Sequence, residues 1–406
     1  MTLRFVGAVI AIAAAALAVP AATAMAASAY SVGGLGEPSL EESARLRAMG
    51  GAGAAERGPR AFSLVNPASV AEVEHLVLEG TILPGMRRVD ALSYESETAR
   101  ETIVPSLRAL IRLPLRVILG GAYIVGTNAR FGIDRPESSG TPSALRIDGT
   151  GGIDLIRVTL ARRVGAAVNV GLDYEVIAGS FREDWTRDFA DTSLATTRDT
   201  LETSWERHGR WRVGAQLHRG SWSLGAVYET ARRLPLSFTQ RTAGTFVRQE
   251  HLSLRVPSGF AVGAAGAITE RLRVAAQYRR ASWERDAIVS DLVDFRPMER
   301  YSLGFEWMPP SDGRSLWSRL PLRIGGSVLR WPDLLPPAGA SDVLLGSVGV
   351  KEVALSIGTG IRSQDRGGSI DFALEAGTRG DRDALGLRER FLRLAVSLQV
   401  SDDTWK

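Results

Sequence analysis

Cysteine is absent from all 406 residues, which excludes disulfide bonds and thiolate metal sites. Histidine is scarce, and His75, His208, His218 and His251 show none of the tight spacing of a metal site. The formal charge of +4 is small for this length and the arginines are scattered, so nothing points to nucleic acid. No Gly-x-Ser-x-Gly, His-Glu-x-x-His or phosphate-cradling glycine loop is present. A barrel hydrolase needs a nucleophile and a base within hydrogen-bond reach. His218 falls near a short turn and His251 in the outer half of its strand, neither with an evident partner, so neither an enzyme nor a cofactor is expected.

Long apolar runs are also missing after the first residues. The opening stretch MTLRFVGAVIAIAAAALAVPAATAMAA carries Arg4, an apolar core from Phe5 to Val19, and small residues at Ala22, Ala24 and Ala26. This is the layout of a secretory signal peptide, assigned to residues 1–27. The core falls short of the roughly 20 residues that a spanning helix needs. An exported chain without membrane helices is either soluble or a membrane β-barrel, whose apolar residues occupy every other position and escape hydropathy windows.

The alternation is there. In RVGAAVNVGLDYEVI, Val164, Ala166, Val168, Val170, Leu172, Tyr174 and Val176 share one face, and Gly165, Asn169, Gly171, Asp173 and Glu175 the other. Leu272, Val274, Ala276 and Tyr278 alternate with Arg271, Arg273, Gln277 and Arg279 in the same way. So do Tyr301, Leu303, Phe305 and Trp307 with Arg300, Ser302 and Glu306, and Leu392, Leu394, Val396 and Leu398 with Arg393, Ser397 and Gln399. The second face is too polar for a sandwich core.

About fourteen such segments follow one another: 74–83, 102–113, 115–131, 147–163, 165–180, 203–219, 221–236, 248–268, 271–285, 297–308, 320–331, 353–362, 368–379 and 388–400. Tight turns are expected at Leu113-Pro114, Arg163-Val164, Arg219-Gly220-Ser221 and Thr269-Glu270. Between them lie long polar loops at 132–146, 181–202, 286–296 and 332–352, with one longer turn at 309–319 on the short side. Alternating short and long connections, with an even strand number, describe an all-β, antiparallel, up-and-down transmembrane barrel in the bacterial outer membrane, occupying residues 73–406. Tyr123, Tyr174, Trp211, Trp222, Tyr228, Tyr278, Trp283, Tyr301 and Trp307 lie on or beside strands, where rings mark membrane interfaces.

Residues 28–72 behave differently. Ser39 and Glu42 form a capping-box pattern, which predicts a short helix to about Met49 that Gly50 and Gly51 end. The small residues that follow suit a backbone threading a confined space, and Asn66-Pro67 redirects the chain toward the first strand. This segment is read as a hatch that plugs the lumen.

Three stretches carry a resemblance to the FadL-type outer-membrane transporters of long-chain fatty acids and other hydrophobic compounds. AMGGAGAAERGPRAFSLVNPASV resembles the glycine-rich lead into that family's plug, with Asn66, Pro67 and Ala68 as its hatch motif. VPSGFAVGAAGAITERLRVAAQYRRASW and WRVGAQLHRGSWSLGAVYETARRLPLSF resemble two of its hairpins. The resemblance implies a monomeric barrel of fourteen strands, passive uptake of a hydrophobic, long-chain fatty acid-like molecule, and a lateral exit through a kink in the third strand. Gly120 and Gly121, adjacent in that strand, are the candidate opening. Arg271, Arg273, Arg279, Arg300, Glu306, Asp371, Glu375 and Arg393 face the lumen in this reading, most pairing with each other or with the hatch, and one or two arginines are able to hold a ligand carboxylate. The loops lack long apolar stretches, and Trp405 stands one residue from the end instead of an aromatic closing the last strand. A related branch, the PorV-like barrels, shares the Asn-Pro-Ala lead and serves exported proteins as a docking or secretion-accessory partner, which is the alternative function.

Overall fold

A computed structural model of the chain describes residues 28–31, 36–91, 97–137, 143–191, 193–282, 297–309, 320–331, 350–362 and 368–402. Fourteen strands form its wall. They are β1 (Leu76–Ala91), β2 (Glu97–Leu113), β3 (Val117–Asn128, continued as Phe131–Glu137), β4 (Ser143–Val164), β5 (Val168–Phe189), β6 (Thr197–Trp205, continued as His208–Arg219) and β7 (Trp222–Glu229, continued as Arg232–Thr242). They continue as β8 (Thr245–Val256, then Gly259–Ala267), β9 (Leu272–Ala281), β10 (Met298–Trp307), β11 (Leu322–Arg330), β12 (Lys351–Arg362), β13 (Gly368–Asp381) and β14 (Leu387–Asp402). Every neighbouring pair is antiparallel, and β14 pairs with β1 from Asp402↔Leu76 to Leu387↔Ala91, so the sheet closes on itself and leaves no free edge there.

Which face points where follows from the alternation. On β5, Val170 and Tyr174 are each 40% exposed on the outer face, while Asp173 is 2% exposed on the inner face. Apolar outside and ionic inside is the reverse of a soluble barrel and the arrangement that spans a membrane. Tyr123, Tyr174, Trp211, Tyr228 and Tyr301 lie on the outer face, with Trp222 and Trp307 nearer the short turns.

The connections alternate as expected, with two shifts. The second turn occupies 165–167, after Val164↔Val168, rather than Arg163-Val164, because Gly165 takes a φ of +65°. The expected loops 132–146 and 181–202 are mostly strand: β4 and β5 each run 22 residues, about twice the 9–11 or so that cross a bilayer. Their outer halves still alternate, with Leu145 and Ile147 buried against Phe131 and set against Arg146 and Asp148. Charged residues crowd around them, with ion pairs such as Arg146–Asp148 at 2.8 Å and Arg198–Asp184 at 2.8 Å, so the segments read as polar loops although the ladder continues. Residues 286–296, 310–319 and 332–349, Trp283 and Trp405 lie outside the described residues.

Residues 39–73 fill the barrel, with Pro59 and Arg60 exposed at its mouth. The capping box at Ser39 does not form: helix α1 covers only Ala44–Arg47, and its N-cap Ser43 makes no side-chain cap. Glu42 is used elsewhere, accepting from the backbone nitrogens of Leu64 and Val65 and from the Ser63 hydroxyl, which ties the two ends of the plug together. Gly50 and Gly51, at φ of +68° and +82°, end the helical turn, with Gly51 N donating to Leu46 O. The plug touches the wall where inward positions carry glycine on β5, β6, β7, β8, β10, β11 and β12. A Cβ on Gly304 would stand 2.4 Å from Met49 O, and one on Gly225 2.0 Å from Ala54 O. Backbone lies against backbone, so even alanine on the wall displaces the plug. Gly304→Leu is expected to abolish plug seating, read as a fall of at least several degrees in the thermal unfolding midpoint in detergent and faster proteolysis of residues 50–62, whereas Ala264→Leu on the outer face is expected to leave both unchanged.

Candidate functional site: a seam in the wall beside the N-terminal strap

The β2–β3 ladder is incomplete. It runs from Leu113↔Val117 to Ser106↔Ile124 and stops one residue beyond Leu107↔Tyr123, at the level of the outer tyrosines. Above it, among the described residues, β2 pairs only with β1, through a register shift between Thr81 and Leu83 that coincides with Pro105. Proline has no N–H to donate, so it sits where a ladder ends or bulges. On the other side, β3 shifts register against β4 between Val125 and Thr127, around Gly126, and breaks at Ala129–Arg130. Neighbouring strands β2 and β3 therefore separate in their outer halves.

The N-terminal chain fills the gap. Glu37–Pro38, the strap, pairs with β3 as Glu37↔Asn128 and Pro38↔Thr127, and Ser39 N donates to Gly126 O at 3.0 Å. Gly36, at φ of +83°, lets the chain turn into this position against the Asn128 backbone. A small pocket of about 40 Å3, partly open to solvent, lies behind the strap, with Leu40, Leu83, Ile103 and Phe391 as its apolar lining and Arg87, Glu101, Asn128 and Arg393 as its polar lining.

Glu37 holds the strap. Its carboxylate meets Arg379 at 2.7 Å, Arg87 at 2.5 Å, and Arg393. Burial pushes this carboxyl up, but Arg379, Arg87 and Arg393 together hold it well below the usual carboxylate range. Two main-chain pairings are worth only about 1 kcal/mol each net. The ion cluster therefore decides whether the strap stays.

A second ionic lattice fixes the plug deeper in the lumen. Glu41 meets Arg157 at 2.7 Å and Arg279 at 3.3 Å, and Arg279 also meets Glu229 at 3.0 Å. Arg157 also pairs with Glu175 and donates to Leu64 O at 2.9 Å, so one wall arginine touches both ends of the plug. Arg45 of α1 bridges Glu56 at 3.0 Å and Glu306 at 2.7 Å, and Arg323 joins Glu306 to Asp371 at 2.8 and 2.6 Å. All but Lys351 and Lys406 of the 49 basic residues are arginine, whose planar fork suits buried, shared carboxylates.

The residues singled out from sequence divide accordingly. Asn66 Nδ2 donates to Ala54 O at 2.7 Å and to Ala215 O of β6 at 3.2 Å, while its Oδ1 accepts from Ala68 N at 2.9 Å. Pro67 packs on Gly171 and Gly214 and begins a 3-10 turn, Pro67–Glu72, with Ala68 fully buried. Arg273 reaches Glu56 at 3.4 Å, Arg393 reaches Glu375 at 3.1 Å as well as Glu37, and Arg300 shares its strand face with Ser302 and Glu306. Arg271 is a correction: it stands exposed in the turn before β9, beyond the lumen, because the ladder ends at Ala267↔Arg273. Gly120 and Gly121 are a second correction, since both are paired on both sides, with Leu110 and Ala109 of β2 and with Thr159 and Val158 of β4. Gly120 makes room for Leu110, whose Cδ2 would stand 2.6 Å from an added Cβ. Pro105, Gly126 and the Glu37-Pro38 pair were missed. A proline inside an otherwise alternating strand was the signal that could have found the seam.

A closed barrel of fourteen strands with its N-terminal segment in the lumen and a divided third strand has the FadL-type fold. Solved structures similar to it include the CymD monoaromatic hydrocarbon channel (13% identity, 89% of this chain and 97% of that chain covered, TM-score 0.55) and the P. putida toluene transporter TodX (13%, 90% and 99%, 0.55). A Pseudomonas aeruginosa FadL homologue is similar at 11% identity, with 83% of this chain and 92% of that chain covered and a TM-score of 0.56. The BamG family model matches residues 1–216 and 234–406, and the chain belongs to the BamG family. No curated protein matches it in sequence.

The lattice has a pH signature. Burial raises the Glu41 carboxyl, but Arg157, Arg279 and Arg212 outweigh it and hold it down to about 2. A carboxyl lowered from an ordinary 4.5 contributes stability that is complete above that value and is lost as pH falls toward 2. Glu41→Gln is expected to make the decline of the urea midpoint between pH 4.5 and 2 less steep than in wild type. Arg157→Met, which leaves Glu41 and Glu175 buried without their shared cation, is expected to cost about 3–5 kcal/mol in the same assay at neutral pH.

Proposed function

We propose that the protein is a monomeric, non-enzymatic channel of the bacterial outer membrane that takes up a hydrophobic small molecule and releases it sideways through the seam between β2 and β3. The observation that carries this reading is the ladder ending at Ser106↔Ile124, with the strap paired to the open edge of β3 and a small pocket of mixed apolar and charged lining behind it. Unpaired backbone facing hydrocarbon costs several kcal/mol per group, so a gap in a membrane barrel persists only where something covers it. A two-residue strap is the smallest cover that satisfies β3, and the most readily withdrawn. The seam begins at the level of the outer tyrosines, where a released molecule meets the boundary between headgroups and acyl chains.

The molecules named for the similar structures, monoaromatic hydrocarbons and toluene, support a hydrophobic ligand. A long-chain fatty acid-like amphiphile fits the local chemistry better than a neutral ring does. Arg87, Arg379 and Arg393 converge on one carboxylate, Glu37, and a ligand carboxylate reaching the pocket competes for those cations and frees the strap.

The chain has no cysteine, so a pair can be introduced cleanly. Pro38→Cys with Thr127→Cys, at paired positions, is expected to form a disulfide that closes the seam. Uptake of radiolabelled oleate by cells lacking other routes should fall at least tenfold in the oxidised variant and return on reduction. Unchanged uptake with the disulfide formed would rule out lateral release here, and loss of toluene entry with oleate entry intact would rule out the amphiphile.

A further inference from the structure

Residues 28–31 lie beside the strap. Ser28 is fully buried, and its backbone nitrogen donates to Glu37 Oε2 at 3.2 Å. Its hydroxyl donates to Glu389 Oε2 at 2.8 Å, and Ala29 N donates to Glu389 Oε1 at 2.8 Å. Tyr30 extends the same anchoring: its hydroxyl donates to Leu387 O of β14, and its ring lies edge-on to Trp331. Glu37 and Glu389 are also joined through Arg379 and Arg87, so the carboxylate that holds the strap and the one that holds residues 28–29 belong to one cluster.

A peptide nitrogen in this position offers one N–H and no charge. An α-ammonium offers three donors and a full positive charge to two buried carboxylates, and a charge-assisted bond is roughly twice as strong as a neutral one. Just upstream stands the small-residue stretch of the export signal, Ala24, Ala26 and Ala27, at the kind of site a signal peptidase cuts.

We propose that Ser28 is the amino-terminal residue of the exported protein and that its α-ammonium binds Glu37 and Glu389, latching the strap into the seam. The step is hydrolysis of the Ala27–Ser28 peptide bond. Water adds its hydroxyl to the Ala27 carbonyl carbon, the carbon–nitrogen bond breaks, and the Ser28 nitrogen leaves as an amine that is protonated to the ammonium. Ala24 and Ala26 form an A-x-A pattern for a cut before Ala27, whereas a cut before Ser28 has Ala27 next to it and the larger Met25 two residues further back. Only the cut before Ser28 places the charge on the nitrogen that touches Glu37. Removal of the export signal and closure of the wall become one event, because the cation that completes the latch does not exist before the cut. The inference rests on the geometry of the seam and holds whatever molecule passes through it.

The test uses the scarcity of amines. Besides the amino terminus only Lys351 and Lys406 react with an amine-directed reagent, and peptide mapping separates the three positions. Protein purified from outer membranes should have the intact mass of residues 28–406. Near pH 8, where a free α-amine is about half deprotonated, the α-amine should label at least tenfold more slowly in the folded barrel than after denaturation. Glu37→Gln and Glu389→Gln should each raise that rate severalfold in barrels that retain heat-modifiable migration. An amino terminus at Ala27 or elsewhere overturns the proposal, and so does wild-type α-amine that labels equally fast folded and unfolded. Should either variant fail to fold, the two wild-type measurements decide alone.

Discussion

A charged side chain in a closed lumen must find an opposite charge, and this constraint organises the molecule. Closing the sheet points every second residue of fourteen strands inward, and on this chain many of those residues are arginine, glutamate or aspartate. Wall charges pair partly with one another, as Arg323 does with Glu306 and Asp371, and partly with the plug, as Arg157 does with Glu41 and Arg379 with Glu37. Removing one partner strands the other in a medium where an uncompensated ion costs several kcal/mol, so plug and wall are stable only together.

Charge fixes which plug residue meets which wall residue, and glycine fixes how closely they approach. The inward glycines let the plug backbone lie directly against the wall at Met49, Ala54 and Asn66-Pro67. Close approach shortens the reach needed by the ionic side chains. Apolar contacts complete the filling on the β3 to β8 side, where Leu64 packs with Ile124, Leu155, Ile177, Leu234 and Leu254.

The seam is the place where this rigidity is relaxed. Pro105 and Gly126 mark where β2 and β3 diverge, and the missing partner is supplied by a strap whose hold is one carboxylate among three arginines. A lattice of many crossed pairs resists displacement because all must break together. A strap held at one residue can be exchanged, and the change stays local because β3 remains paired to β4 along its inner half.

Periodicity and turn chemistry made the wall legible from sequence, since a half-apolar strand must alternate and a tight turn must carry residues such as Gly220. They determined strand number, order, facing and the placement of Asn66-Pro67-Ala68 in the plug ahead of the first strand. The outer halves of β4 and β5 escaped because charged and hydroxyl residues outnumber the short apolar alternation that Leu145 and Ile147 carry there. The capping box failed because Glu42 gains more from two buried backbone N–H groups and the Ser63 hydroxyl than from its own helix end. Which arginine meets which carboxylate, and where the wall opens, were decided only in three dimensions. Glu37 and Arg379 are 342 residues apart, and no local pattern encodes a contact that arises when β14 closes on β1.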